Sequence, residues 1–458
     1  MANFWDYNVW GFIVLITVLL GSLLGGNVLK KAIPALKQSL IPTSVLGGAI
    51  LLVIAAIYKG ATGLVMFDTE MFGGNGTTVL EGITYHTLAL GFIASALKTS
   101  NNEMTKQRSV EIFDSGVTTV ATYLIQGIFG LAFTMVIAKI IDGFFPAAGV
   151  LLPFGYGQGT GQAMNYGNIY EVEYGFNGGK SFGLTVAALG FLSAAIGGVI
   201  HLNVMKKRGK LVKSTRTDGS LHTEAIESEN EIPMQESVDK MTIQLALIFV
   251  AYAAAYVIMR TLGNLLPGLR SVIYGFNFLL GVITATLTKL LLKFMREHGI
   301  INHKYTNNFL MTRLSNFFFD IMVVAGVAAI RLDILEDYWG IILIMGAIGA
   351  LITYKYNRLV AKVMFPDYVE EQFLVMYGML TGTASTGIIL LREIDGDFKT
   401  PASDNMVYQT LPAIVFGFPM MFLATLAPKS PMLTLVIFIA FFGIMNLILF
   451  RSKIFRKK

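Results

Sequence analysis

Hydrophobic runs recur along this chain at lengths suited to crossing ~30 Å of hydrocarbon, which takes about 20 residues of helix. They cover residues 9–28, 41–58, 84–97, 117–141 and 182–205. After a polar interval come 241–262, 272–292, 309–330, 338–360, 406–427 and 432–450. The pattern predicts eleven crossings, the third of them short. Two stretches break it: residues 153–171 read PFGYGQGTGQAMNYGNIYE, and residues 377–387 read YGMLTGTASTG. Each glycine costs a helix roughly 1 kcal/mol against alanine, so neither stretch reads as a spanning helix. Irregular backbone at membrane depth persists only where protein buries it or where it lines a wet cavity. Two interrupted segments at matching places in two halves point to a transporter's binding site.

Composition agrees. Of 458 residues, 54% are hydrophobic and 14% charged, and the mean hydropathy is +0.63; these values belong to polytopic membrane proteins. The chain has no cysteine, which excludes disulfides, thiolate metal sites and cysteine catalysis. The first apolar run follows MANFWDYNVWGF, without a basic n-region or a small-residue cleavage site, and is expected to be retained.

The net charge of +6 is explained by orientation in the membrane, with no nucleic-acid partner required. With the N-terminus outside, the inside loops hold Lys30, Lys31 and Lys37, then Lys98, Lys106 and Arg108, then Lys206–Lys213. The second half continues with Lys289, Lys293 and Arg296, then Lys355, Arg358 and Lys362, and the basic tail from Arg451. Acidic residues such as Asp68, Glu81, Asp142, Glu171 and Asp333 fall outside, with Arg260, Arg270, Arg331 and Lys429 as the basic exceptions there. Five crossings per half then place the halves in opposite senses. The expected fold is an all-α polytopic membrane protein of two inverted five-helix repeats, each with a re-entrant loop, plus an extra C-terminal helix. The first repeat occupies 1–208 with its loop near 153–171, and a cytoplasmic linker follows at 209–240. The second repeat occupies 241–427 with its loop near 373–390, and the added helix and tail occupy 428–458. The linker reads most simply as a tether.

In the first interrupted stretch Gly157, Gly159 and Gly161 alternate with Gln158, Thr160 and Gln162. Glycine lets backbone groups approach a ligand closely. Free amides at a half-helix start favour an anion, and unwound carbonyls favour a cation. Asn165 and Asn168 add neutral donors and acceptors. The competing reading is a close helix crossing through small residues. The second stretch offers Thr381, Thr383, Ser385 and Thr386. Their oxygens suit sodium or a substrate carboxylate, unless they bond back to their own helix. Asp320 lies inside the run NFFFDIMVVAGVAAI, with Asn316 one turn earlier. An intramembrane carboxyl points to function, as a sodium ligand or proton carrier; the competing reading is a pair with a neighbouring helix. The substrate set is therefore Gly157–Gln162, Asn165, Thr383, Ser385 and Thr386. The sodium set is Asp320, Asn316, Asn168 and Thr381. No Walker A sequence, HExxH or GxSxG occurs, which disfavours an ATP-driven pump or a hydrolase.

The segments IPTSVLGG (41–48), GQGTGQA (157–163) and FGLTVAALGFLSAAIGGVI (182–200) resemble the bacterial sodium/glutamate symporters of the GltS type, and the resemblance extends over about 9–427. It implies a sodium-coupled importer of L-glutamate in the inner membrane, without other cofactors. It also implies inverted repeats with re-entrant loops, assembly as a homodimer and elevator-like motion. Residues 157–162 and 382–386 inherit the substrate and sodium roles. The second motif departs from the type pattern, roughly GLGATPTAIANM: Ser385 stands where proline is expected, and Ile389, Leu390 and Leu391 replace its end. Asp320 stands in place of a neutral residue. These departures mark a subgroup. The alternatives are a transporter of another small carboxylate or amino acid, a passive channel, and a membrane receptor that binds without flux.

Overall fold

Uninterrupted apolar sequence in a low-dielectric setting has to satisfy its own backbone polar groups, and helix does so locally. The computed structural model describes residues 3–38, 41–98, 105–208, 231–232, 238–335, 338–395 and 399–454. Helices are α1 (Tyr7–Ala32), α2 (Pro34–Gln38), α3 (Thr43–Thr62), α4 (Gly76–Ala96), α5 (Lys106–Ile137), α6 (Leu151–Gln158), α7 (Thr160–Tyr174) and α8 (Gly179–Lys207). The chain continues with α9 (Lys240–Leu265), α10 (Arg270–Gly275), α11 (Asn277–Glu297), α12 (Asn308–Ala328) and α13 (Trp339–Met364). Last come α14 (Val369–Thr381), α15 (Ala384–Arg392), α16 (Ala402–Tyr408), α17 (Thr410–Leu426), α18 (Pro431–Leu449) and α19 (Arg451–Ile454). Among the described residues there are no strands.

Ten of these helical segments are long and apolar enough to cross a membrane, and the pair α16 and α17, bent by 51°, makes an eleventh if taken as one span. The protein is therefore an all-α, multi-pass membrane protein. The ten match the expected runs other than the tenth, which is the bent pair. Two differ in extent. The third run is not short, because α4 starts at Gly76, ahead of the apolar stretch. Helix α5 begins eleven residues before its run, where the Thr105 side chain accepts from the Arg108 amide and caps it. Most of the expected linker, 209–230 and 233–237, lies outside the described residues, as does the end of the basic tail.

The chain divides into two compact units. The first comprises Met1–Glu81, Met104–Arg216 and Val323–Lys458, the second Gly82–Glu103 and Thr217–Met322; two of the divisions fall inside α4 and α12, and the other two lie outside the described residues. In the second unit α4, α9, α11 and α12 bury Leu90, Ile93, Ile248, Ala285, Met311 and Phe318 together. Polar groups there close on backbone: Asn277 Nδ2 donates to the Tyr85 carbonyl at 2.9 Å and Ser315 Oγ to the Gly91 carbonyl at 2.9 Å. Glu231 is fastened into this unit, 2.8 Å from buried Lys240 and 2.6 Å from Asn307 Nδ2. That end of the expected linker is thus a docked segment.

In the first unit α1 and α3 cross closely, since a Cβ on Gly47 would stand 2.9 Å from the Ser22 carbonyl oxygen. Helix α18, expected as an addition outside the repeats, packs along α5, with the Phe438 ring 3.0 Å from where a Cβ on Gly127 would be. Tyr356 on α13 donates to Asn446 on α18 at 2.9 Å, and Arg451 on α19 bonds Asp114 on α5 at 2.5 Å.

Candidate functional site

Both interrupted stretches are helical hairpins. Phe154 on α6 and Tyr166 on α7 stack with ring centroids 4.0 Å apart and planes within 6°. A continuous helix, rising about 1.5 Å per residue, would hold positions twelve apart roughly 18 Å from each other. The chain therefore doubles back at Gly159. Its φ of 82° and ψ of −172° lie in a region open essentially to glycine alone. The second stretch turns the same way. A Cβ on Gly378 of α14 would stand 2.8 Å from the Gly387 Cα on α15, so two bare backbones cross just below the turn at Gly382 and Thr383.

The tips of the two hairpins converge on α8. A Cβ on Gly190 would lie 2.3 Å from the Thr381 carbonyl oxygen and 3.3 Å from the Tyr156 Cα. One on Gly382 would lie 3.2 Å from the Ala194 Cβ. Helices α5 and α13 enclose the same place. Tyr123 on α5 donates to the Gly157 carbonyl at 3.1 Å, and its ring fills the space a side chain at Gly157 would need. Buried Gln126, also on α5, donates at 2.8 Å both to Thr353 Oγ1 on α13 and to the Leu380 carbonyl at the end of α14. Tyr156 donates to the Gly346 carbonyl at 2.7 Å and meets Ser193 at 2.9 Å. Tyr377 donates to the Ser193 carbonyl at 2.9 Å.

Polar capacity is left over at these tips. Helix α7 has no side-chain cap, so its first amides point from a helix N-terminus, which favours an anion. Gln162, buried in that first turn, accepts from Asn165 Nδ2 at 3.3 Å while its own Nε2 has no partner. Buried Gln126 Oε1 has none either. An unpaired buried amide group costs about 1–3 kcal/mol, a cost a bound ligand removes. The first tip therefore presents donors, the amides at the start of α7 beside Gln162 Nε2, an arrangement that suits an anion.

Of the expected substrate residues, Gly157, Gln158, Gly159, Thr160, Gly161, Gln162 and Asn165 all lie at or just past the first tip. Thr160 is fully buried, and its Cβ stands 2.9 Å from where a Cβ on Gly326 of α12 would be. At the second tip Thr383 caps α15, accepting from the Thr386 amide at 3.3 Å, and the two hydroxyls are 3.2 Å apart. The side chain of Ser385 lies outside the described residues. The expected sodium residues fall on three helices, α14, α7 and α12. Thr381 is buried at the second tip, its hydroxyl donating to the Tyr377 carbonyl of its own helix at 2.7 Å. Asn168 is exposed on α7. Asn316 and Asp320 are exposed one turn apart on the part of α12 that belongs to the second unit.

The sequence reading missed Tyr123, Gln126, Tyr156, Ser193 and Thr353. The available signal was a glutamine inside the apolar run 117–141, where an amide has to find an internal partner.

Away from the tips, α14 begins at an ionic cluster. Glu370 receives both guanidinium nitrogens of Arg358 at 2.5 Å and meets His201 Nε2 at 2.9 Å, while His201 Nδ1 meets the Tyr354 hydroxyl at 2.8 Å. Burial alone would raise the Glu370 carboxyl, but the hydrogen bonds and charges of His201 and Arg358 outweigh it and hold it at about 2. This cluster ties α8, α13 and the second hairpin together at one end.

Compared with protein-family models the chain matches none, and no curated protein matches it.

Proposed function

We propose that the protein is a sodium-coupled secondary transporter that imports glutamate, or a closely similar small carboxylate, by alternating access. The observation that carries this reading is the meeting of two helical hairpin tips at Gly190. Discontinuous helices near a transporter's midplane offer amides to anionic substrate groups and carbonyls to the coupling ion. On this reading α5, the first hairpin and α8 form one end of the first repeat, and α13, the second hairpin and the bent α16–α17 pair form its inverted counterpart. Both hairpins are then re-entrant, and the N-terminus lies outside. A negatively charged substrate in a dry cavity needs charge compensation, which the cation supplies, so each ligand strengthens the other's binding.

The test is uptake of radiolabelled L-glutamate by purified protein in proteoliposomes, with and without an inward sodium gradient. The reading predicts uptake that requires sodium and is competed by unlabelled glutamate. Flux that ignores sodium would indicate a channel, and binding without flux would indicate a receptor.

A further inference from the structure

A cavity of about 520 Å³ lies within the first unit, between α3, the segment after it and the end of α12. Its walls are largely apolar, with Leu52, Phe67 and Trp339 among them, and three ionic groups line it: Lys59, Arg331 and Asp333. Asp333 carries two cations at once. Lys59 Nζ is 2.5 Å from its Oδ2, and Arg331 donates from Nε at 3.1 Å and from Nη2 at 2.9 Å. The hydrogen bond from Arg331, aided by the one from Lys59, holds this carboxyl below the usual carboxylate range. A single carboxylate leaves donor capacity on both cations, since an ammonium offers three protons and a guanidinium five. Asp68 and Glu81 lie within electrostatic reach of Arg331, but neither lines the cavity. A further group points to a ligand. Thr77 lines the cavity and is 8% exposed, and its hydroxyl has no partner, although its amide donates to Asp68 at 2.9 Å.

We infer that this cavity is a second binding site, a vestibule that receives a small organic carboxylate at the cations of Lys59 and Arg331. The bound carboxylate shares those cations with Asp333, meets the Thr77 hydroxyl, and lays its carbon body on the Trp339 and Phe67 wall. Helix α12 connects the vestibule to the first hairpin. Ala328 and Ala329 line it, and Gly326, less than one turn back along α12, lies against Thr160. As a docking place on the way to the tips, the vestibule rests on the transport reading given above. As a carboxylate site it stands on its own contacts.

Trp339 is a built-in reporter. With Trp5 and Trp10 replaced by phenylalanine, it is the one tryptophan left. The experiment titrates this protein, in nanodiscs of neutral phosphatidylcholine, with sodium L-glutamate against sodium chloride of equal ionic strength. A saturable change in Trp339 emission is expected. Its half-saturation should rise about tenfold or more in Lys59→Gln, as loss of one charge-assisted bond implies, and by a smaller factor in Thr77→Val. Thr160→Ala, which should stop uptake, should leave the Trp339 response intact. No response in a protein that still takes up glutamate would overturn the vestibule alone. Equal half-saturation in Lys59→Gln and Thr77→Val, with melting temperatures unchanged, would overturn it too. A response that appears only with anionic phosphatidylglycerol would make the cavity a lipid site and overturn the proposal. An intact response without uptake would support the vestibule and count against the transport reading.

Discussion

Gly190 and the Thr381 carbonyl oxygen approach so closely that a Cβ on the glycine would sit 2.3 Å from that oxygen. The contact is with backbone, which a rotamer change cannot relieve. Gly190→Ala should therefore force the second tip off α8, costing about 1–3 kcal/mol as other overpacked sites do. A lowered melting temperature in detergent and loss of uptake are expected. Gly21→Ala on α1, where nothing lies within 4 Å, is the control and should be neutral or slightly stabilising.

Gly159 turns the first hairpin with a φ of 82°. Gly159→Ala should impose backbone strain of about 1–3 kcal/mol and impair uptake while membrane insertion stays normal. Measuring uptake alongside the amount of protein inserted separates the two effects.

Gln126→Leu removes the donor to both Thr353 and the Leu380 carbonyl. The stranded carbonyl should cost about 1–3 kcal/mol. Gln126→Glu should rescue it only in part, because a buried carboxyl is held neutral and has one proton to donate where the amide gives two. Thermal melts of the two variants check this.

Glu231 and Lys240 form an ion pair in which both side chains are almost fully buried. Glu231→Gln removes this carboxylate's charge from beside the ammonium, and loss of one member of a buried pair typically costs about 3–5 kcal/mol. A second change, Lys240→Met, should restore most of the lost melting temperature. If Glu231→Gln melts like the unaltered protein, the docking of this segment is refuted.

Acid should loosen the second hairpin at its start. The Glu370 carboxyl lies at about 2 when folded against an ordinary 4.5, so its contribution is fully present above pH 4.5 and is lost as pH falls toward 2. The difference in melting temperature between the unaltered protein and Arg358→Gln should be constant above pH 5 and shrink below it. A difference that grows on acidification would contradict this assignment.

Much of this architecture was legible because length and hydropathy decide a spanning helix with little help from tertiary contacts. The α13 span can be read from residues 338–360 alone. The glycine-rich stretches were legible as interruptions, but the way each hairpin closes was not. It depends on Phe154 meeting Tyr166 and on Gly378 meeting Gly387, which no periodicity encodes. Asp320 drew attention as a charge in an apolar run, yet its side chain is exposed, while the hidden polar partners of the tips are glutamine, tyrosine and serine. Such residues stand out less in a hydropathy pattern because they carry no charge. Helix α18 reads as an addition because it falls after the last counted repeat, and how it is fastened was not legible. Asn446 and Arg451, which fasten it, have partners far away in sequence.

The central claim is that the two hairpin tips form one site for a carboxylate and sodium. Calorimetric titration of the purified protein with L-glutamate, in sodium and in potassium buffer, tests it most directly when every protein carries Lys59→Gln, so that the vestibule adds no heat, and when the titration is repeated with Thr160→Ala or Thr383→Ala added. Heat of binding in sodium alone, abolished or weakened at least tenfold by either substitution, is the predicted result. Binding that persists unchanged in both variants, or that is equal in potassium, would contradict the account.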